Sequence, residues 1–86
     1  MTVQLFARLR ELAGRAEWVC DVPAGASVGD VWQAVAREHP AVSALGSAVS
    51  AAVNADFASM RTTVHDGDEV AFLPPVSGGR ATRGRL

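Results

Sequence analysis

Few side chains in this sequence have the types and spacing of a catalytic or metal-binding group. The single cysteine, Cys20, and the two histidines, His39 and His65, lie far apart along the chain and form no ligand pattern. The acidic run Asp66–Glu69 is shorter than the loop of ligands that Ca²⁺ requires in proteins. We therefore predict that this chain binds no metal and has no active site of its own.

A different chemical feature is the slender segment near the end of the chain. The apolar run Val70–Leu73 meets Pro74 and Pro75, which offer no backbone N–H, so a strand is expected to stop there. Two prolines favour a stiff, extended backbone, and the following Ser77–Gly79 has almost no side-chain bulk. An extended segment from Pro74 to Gly79 is roughly 20 Å long. Its length and small side chains would allow it to enter a narrow channel in another protein. The simpler alternative is a flexible terminus after the last strand.

Three stretches of the chain match a known pattern. The run Asp66–Gly79 (DGDEVAFLPPVSGG) resembles the C-terminal signature of the small subunits of molybdopterin synthase, a family of ubiquitin-like sulfur carriers. Leu5–Arg8 with Arg10–Gly14, and Ala51–Asn54, support the resemblance, which covers most of the chain up to Gly79. This sequence departs from the family in continuing past the second glycine as Arg80–Leu86.

The resemblance implies a chemical role for the glycine pair. In the family, an E1-like enzyme uses ATP to adenylate the terminal glycine carboxylate, which maps to Gly79 here, and sulfur then replaces AMP to leave a thiocarboxylate. The tail enters the large subunit of molybdopterin synthase and gives its sulfur to a pterin precursor. Gly78 and Gly79 would carry this chemistry, and Pro74–Ser77 (Pro74, Pro75, Val76, Ser77) would contact the partner. No cofactor is expected to be bound by this chain itself.

Gly79 has no free carboxylate in this sequence, because it is amide-bonded to Arg80. A processing protease could remove the last seven residues, the extension could be foreign to the natural chain, or this copy could be inactive. We expect residues 80–86 to be disordered and, because of their polar character, a good protease substrate.

Composition and charge indicate the size of the domain and the kind of partner that it binds. Eighty-six residues, 49% of them hydrophobic and 20% charged, make one small domain with a modest core. All eight basic residues are arginines, and without 80–86 the net charge falls from −1 to −4. An acidic body does not indicate a nucleic-acid partner and suits a partner with a basic docking surface.

No apolar run approaches the ~18 residues of a membrane span, and the N-terminus lacks the apolar core of a signal peptide. We therefore expect a cytoplasmic protein.

Patterning predicts two strands, a helix and two or three further strands. Strands are expected at 2–9 and 17–22, a helix from Ser27 to Pro40, a helical turn at 41–46, a strand at 49–53 and a last strand at 69–73. Residues 57–64 fit no single pattern, and 61–64 is a candidate strand. This order favours an α+β roll with one helix across a mixed sheet, which the resemblance sharpens to a β-grasp of four or five strands. The domain is assigned to residues 1–73, with 74–79 as an extended tail.

Apolar spacing also predicts the core and a surface. Val28, Val31, Trp32 and Val35 share one helical face, with Trp32 as the expected main anchor, and Cys20 is expected to be a buried structural thiol. Three large apolar residues are not predicted on the sheet face that the helix covers. We predict that they form a docking patch for the large subunit: Phe6, Phe57 and Leu73.

Three rival functions remain open from the sequence. The chain could carry sulfur for thiamine or cysteine biosynthesis, modify other proteins in the manner of ubiquitin through Gly79, or be a non-covalent binding module. The uncleaved extension is the best argument for the last.

Overall fold

The computed structural model describes residues 1–75. Five strands form one mixed sheet: β1 (Thr2–Leu5), β2 (Glu17–Val19), β3 (Ser50–Val53), β4 (Asp56–Ala58) and β5 (Glu69–Leu73). Their order is β2-β1-β5-β3-β4, and β1 and β5 are parallel while the other neighbours are antiparallel. The helices are α1 (Arg8–Ala13), α2 (Val28–Glu38) and a 3₁₀ helix (Pro40–Ala48). The predicted β-grasp roll with one main helix is confirmed.

The core lies between α2 and one face of the sheet. Val28, Val31 and Val35 of α2 are buried together with alternate residues of the central strands, namely Val3, Leu5, Val70 and Phe72. Trp32 is only half-buried, and its ring lies 5.1 Å from that of Phe72, centroid to centroid. The three valines are therefore the deepest anchors of the helix, and Trp32 covers the edge of the core instead of filling its centre.

The start of α2 is held by its own cap and by a neighbouring loop. Ser27 Oγ accepts from the Asp30 N–H at 3.2 Å, while Asp30 Oδ2 accepts from the Ser27 N–H at 2.9 Å. The next two N–H groups, of Val28 and Gly29, donate to carbonyls of the loop at residues 60–62. A Cβ at Gly29 would lie 3.0 Å from the Met60 carbonyl oxygen, so glycine permits this close approach.

That loop explains why the candidate strand at 61–64 is wrong. The carbonyls of Met60 and Thr62 bond to the helix start, and within 61–64 only Thr63 forms an isolated bridge, to Ser27. The extra strand is instead β4 (Asp56–Ala58), most of which lies at the start of the 57–64 stretch that fits no single pattern.

The first strand also ends earlier than predicted. β1 stops at Leu5, and the chain turns at Ala7 into α1, whose Leu9 is fully buried. The alternation Val3, Leu5, Ala7, Leu9 could not reveal this, because Leu9 and Leu12 also share one face of a helix at i and i+3.

The second strand ends at Val19 instead of Val22, at the point where its pairing with β1 ends. β1 begins at Thr2, and the Cys20 N–H donates to Met1, the first residue of the chain described. Cys20 therefore follows the strand and is half-buried, whereas the sequence predicted a buried structural thiol. None of the helices within residues 1–75 is long and apolar enough to cross a bilayer.

Candidate functional site

The strand that leads to the glycine tail occupies the middle of the sheet. β5 pairs with β1 over Glu69–Phe72 on one side and with β3 over Val70–Leu73 on the other. It ends at Leu73, directly before Pro74, as the sequence predicted. Pro74 is half-buried and Pro75 is exposed. The tail therefore leaves from a point that both neighbouring strands hold in place.

Four predicted site residues, Val76, Ser77, Gly78 and Gly79, lie outside the residues that the structure describes. Their assigned role in carrying sulfur and in contacting a partner stays a prediction.

The beginning of β5 is fixed by a small polar network. Asn54 Nδ2 donates to Asp68 Oδ1 at 3.0 Å, and Asn54 Oδ1 accepts from the Glu69 N–H at 3.0 Å. Asp68 Oδ2 accepts from the His65 N–H at 2.8 Å. The hydrogen bonds from Asn54 and from the His65 backbone lower the pKa of Asp68. This carboxylate thus joins the β3–β4 turn, the 65–68 turn and the last strand.

The sheet face opposite α2, called the outer face here, carries all three predicted docking residues. Phe57 on β4 is opposite Ala52 and is 85% exposed. Leu73 points away from its buried neighbour Phe72 and is half-buried. Phe6 follows β1, its N–H donates to the Phe72 carbonyl, and it is 45% exposed. Strand alternation places it on the same face as Gln4.

The three residues are on one face but not in one cluster. Leu73 ends β5 and Phe6 directly follows the neighbouring β1, whereas Phe57 lies two strands beyond β5, about 10 Å across the sheet at ~4.8 Å per strand. Two alanines fill the gap, because Ala71 pairs with Ala52 and Ala52 pairs with Phe57. The result is an apolar strip with large side chains at its ends and a flat, small-residue centre. We call it the apolar strip: Phe6, Ala52, Phe57, Ala71 and Leu73.

Sequence reasoning did not assign Ala52 and Ala71 to this surface. Each alternates with a buried neighbour, Ala51 or Val70, and this alternation indicates that both alanines face outward. Only the register of β3 against β5 shows that they lie side by side on the outer face.

A strained turn sets the position of Phe6. Ala7 has φ 52° and ψ −123°, a conformation that glycine adopts far more readily than alanine. The turn directs the backbone from β1 into α1 immediately after Phe6. Phe6 therefore lies where an unusual backbone conformation ends the strand.

Cys20, His39 and His65 are the side chains that the sequence offers for a metal or nucleophile site. Burial raises the pKa of the Cys20 thiol, which opposes formation of a thiolate. His65 is exposed, while His39 is mostly buried, with its ring 5.9 Å from that of Trp18. Within residues 1–75, no three histidine, cysteine or acidic side chains come together as metal ligands.

Comparisons with known proteins agree with this geometry. The ThiS family matches residues 3–79. A molybdopterin synthase sulfur carrier subunit of Escherichia coli is 37% identical over 79 residues, covering 90% of this chain and 96% of that protein. The corresponding subunit of Arabidopsis thaliana is 32% identical over 77 residues, covering 90% and 80%. Small archaeal modifier protein 1 of Haloferax volcanii is 36% identical over 87 residues, covering 92% and 100%.

Solved structures show the same fold. A crystal structure of that Haloferax modifier has a TM-score of 0.79 at 35% identity and covers 91% of this chain and 97% of its own. The crystal structure of the Amycolatopsis orientalis BexX/CysO complex has a TM-score of 0.68 at 26% identity, with 91% and 98% covered.

Proposed function

Because the chain belongs to the ThiS family of ubiquitin-like sulfur carriers, we propose that it is the sulfur-carrying small subunit of a molybdopterin synthase. The observation that carries this proposal is the 37% identity to the Escherichia coli sulfur carrier subunit across nearly the whole of both chains. The run Leu73–Gly79, with two prolines before two glycines, supports the same assignment.

The proposed chemistry takes place at the carboxyl carbon of Gly79. An E1-like partner would join this carboxylate to AMP from ATP, with release of pyrophosphate. Hydrosulfide, or a donor that delivers sulfur at that oxidation level, would then attack the acyl carbon, form the C–S bond, expel AMP and leave a thiocarboxylate. Glycine suits this chemistry because no side chain hinders the α-carbon or blocks a narrow channel. The chain itself supplies the acyl group and its presentation, and ATP belongs to the activating enzyme.

This proposal requires a free carboxyl group at Gly79. In the present sequence Arg80 follows it, so we include a processing protease among the partners. Cleavage of the bond between Gly79 and Arg80 would expose the required carboxylate. A cytoplasmic location, expected from the sequence, is part of the same proposal.

The apolar strip is the surface that we assign to docking of the large subunit. It carries Phe57, which is 85% exposed, and it adjoins the end of the strand that leads to the tail. Exposed aromatic and aliphatic side chains of this kind are the usual anchors of protein interfaces. With Pro74 and Pro75 as the first stiff residues beyond the strip, docking would direct the tail away from the sheet and into the partner.

Two specific observations favour alternatives. The similarity to small archaeal modifier protein 1, at a TM-score of 0.79, favours attachment to other proteins through Gly79. The likeness to a structure that contains CysO keeps a sulfur carrier of another pathway, including thiamine or cysteine biosynthesis, as a further candidate.

The decisive experiment compares three forms of the chain with a purified large subunit and the pterin precursor. We expect molybdopterin formation from a chain that ends at Gly79 as a thiocarboxylate. The matched chain that ends at Gly79 as an ordinary carboxylate, and the intact chain to Leu86, should give none. Full activity from the uncleaved form would overturn the proposal.

Mass spectrometry of the protein from its own cells distinguishes the alternatives. A thiocarboxylate at Gly79 supports sulfur carriage, whereas isopeptide-linked conjugates on other proteins would favour the modifier function.

A further inference from the structure

A groove runs between the edge strand β2 and the helix α2, on the side of the sheet opposite the apolar strip. Its cavity volume is about 170 Å³. The floor and walls are mainly apolar and include Val3, Trp18, Val22, Val31 and Ala34. An open apolar groove beside an edge strand is a favourable place for an extended segment to bind.

The rim of the groove is acidic. Asp21, Asp30 and Glu38 all line it. One oxygen of Asp30 is used by the Ser27 N–H in the helix cap. Two cations oppose them. The Arg15 guanidinium lies 4.3 Å above the Trp18 ring and 3.9 Å from Glu38, and the N-terminal ammonium lies near enough to Cys20 to oppose the rise that burial causes in the pKa of its thiol. Three carboxylates against these two cations leave the groove with a net negative charge, so its electrostatics favour a basic ligand.

The backbone of β2 is open along this edge. The Cys20 N–H donates to the Met1 carbonyl, and the Leu5 N–H donates to the Ala16 carbonyl. Because hydrogen bonding alternates along an antiparallel strand, the backbone groups of the intervening Glu17 and Val19 point away from β1. β2 is the last strand of the sheet on this side, so these groups are available to an added strand.

The chain contains a segment of matching chemistry. Arg80, Arg83 and Arg85 place three positive charges within six residues, and the residues between them, Ala81, Thr82 and Gly84, are small. The 11 residues after Pro75 can reach about 35 Å at ~3.3 Å per residue.

The residues after Pro75 are long enough to reach the groove. β2 lies two strand spacings from β5, about 10 Å, and Trp18 is level with Val70, five residues before Pro75. Five residues of strand correspond to about 17 Å, so the groove is about 20 Å from Pro75.

From these observations we infer that, in the uncleaved chain, the segment 80–86 binds along the open edge of β2, with its arginines beside Asp21, Asp30 and Glu38. This contact holds the bond between Gly79 and Arg80 close to the body of the protein. Cleavage after Gly79 releases the segment and frees the tail. The inference concerns only the uncleaved chain and does not depend on the sulfur-carrier role.

Amide hydrogen exchange tests the contact directly. The chain to Leu86 should show the amides of Glu17 and Val19 exchanging at least about fivefold more slowly than the chain that ends at Gly79. The indole N–H resonance of Trp18 should also shift between the two chains. Amides of Asp56–Ala58, on the opposite edge strand, serve as the internal control and should not change.

Two variants of the intact chain test the charge and the groove separately. Changing Arg80, Arg83 and Arg85 together to glutamine keeps the length of the segment and should remove the protection, as should 0.5 M salt. Ala34→Arg places a positive charge at an exposed groove position in α2 and should have the same effect. Equal exchange at Glu17 and Val19 in the intact and Gly79-terminated chains would overturn the inference, as would protection that persists in the glutamine variant.

Discussion

Trp32 lies at the boundary between the core and the surface. Its ring is half-buried against Phe72, while Val28, Val31 and Val35 on the same helix are almost fully enclosed. Because part of the indole already contacts water, Trp32→Ala should cost about 2–3 kcal/mol in unfolding free energy, less than the 3–5 kcal/mol of a fully buried tryptophan. Urea titration measures this loss. A cost below about 1 kcal/mol would show that Trp32 adds little to the core.

Asp68 makes stability depend on acid pH. Its hydrogen bonds lower its pKa in the folded protein below the ordinary value of 3.8. The stabilisation is therefore fully present above pH ~4–5 and is lost as the pH falls through the folded pKa. We expect the stability advantage of the unmodified chain over Asp68→Asn to shrink between pH 7 and pH 3. Urea titrations of both proteins at the two pH values measure it, and an advantage that stays constant would contradict the assignment.

The turn between β3 and β4 contains a residue of the wrong type for its backbone. Val53 and Asp56 pair across a two-residue turn, and Asn54 and Ala55 both have positive φ, 51° and 73°. This pattern is that of a type I′ turn, in which glycine is preferred at the second position. Ala55→Gly should therefore raise the unfolding free energy by about 0.5–1 kcal/mol, since relief of strain exceeds the entropy gained by the unfolded chain.

A matched substitution separates this effect from a general effect of glycine. Ala52→Gly changes the same side chain within β3, outside the turn, and should destabilise the protein. If both substitutions destabilise to the same degree in denaturant titrations, the backbone at Ala55 is not strained.

Local patterns predicted those elements that local chemistry bounds. The two prolines ended β5 at Leu73, and Ser27 and Pro40 bounded α2. The end of β1 at Leu5 was missed because the local alternation is also compatible with a helix. Two other errors had a non-local cause: β2 ends at Val19, where its pairing with β1 ends, and residues 60–62 satisfy the start of α2 instead of pairing in the sheet.

Local patterns likewise predicted some parts of the candidate site and not others. The outward placement of Phe6, Phe57 and Leu73 followed from alternation, whereas the alanines that join them required the register of β3 against β5 and β4. The β2–α2 groove depends on how a helix packs on a strand, which no local pattern shows.

For the molecule as a whole, the apolar strip should determine the affinity for the large subunit. Leu73→Asp and Phe57→Asp each place a charge in a contact that we propose to be desolvated. Each should weaken binding by at least ~2 kcal/mol, about thirtyfold in dissociation constant, with little change in the thermal melt. Calorimetric titration against the large subunit measures the affinity.

Val19→Asp is the control for this prediction. Val19 is 75% exposed, but it lies on edge strand β2, away from the strip. This variant should bind normally. If Leu73→Asp and Phe57→Asp bind as tightly as Val19→Asp, the docking surface lies elsewhere.

The parallel pairing of β1 with β5 has a consequence for synthesis of the protein. Thr2 pairs with Glu69, 67 positions later in the chain, so the centre of the sheet is empty until the last strand has left the ribosome. Contacts of such long sequence separation form late in folding, after the cost of closing a long loop. A nascent or prematurely terminated chain that lacks β5 leaves the inner edges of β1 and β3 without a partner. Each copy that reaches the folded state has therefore been translated to within six residues of Gly79.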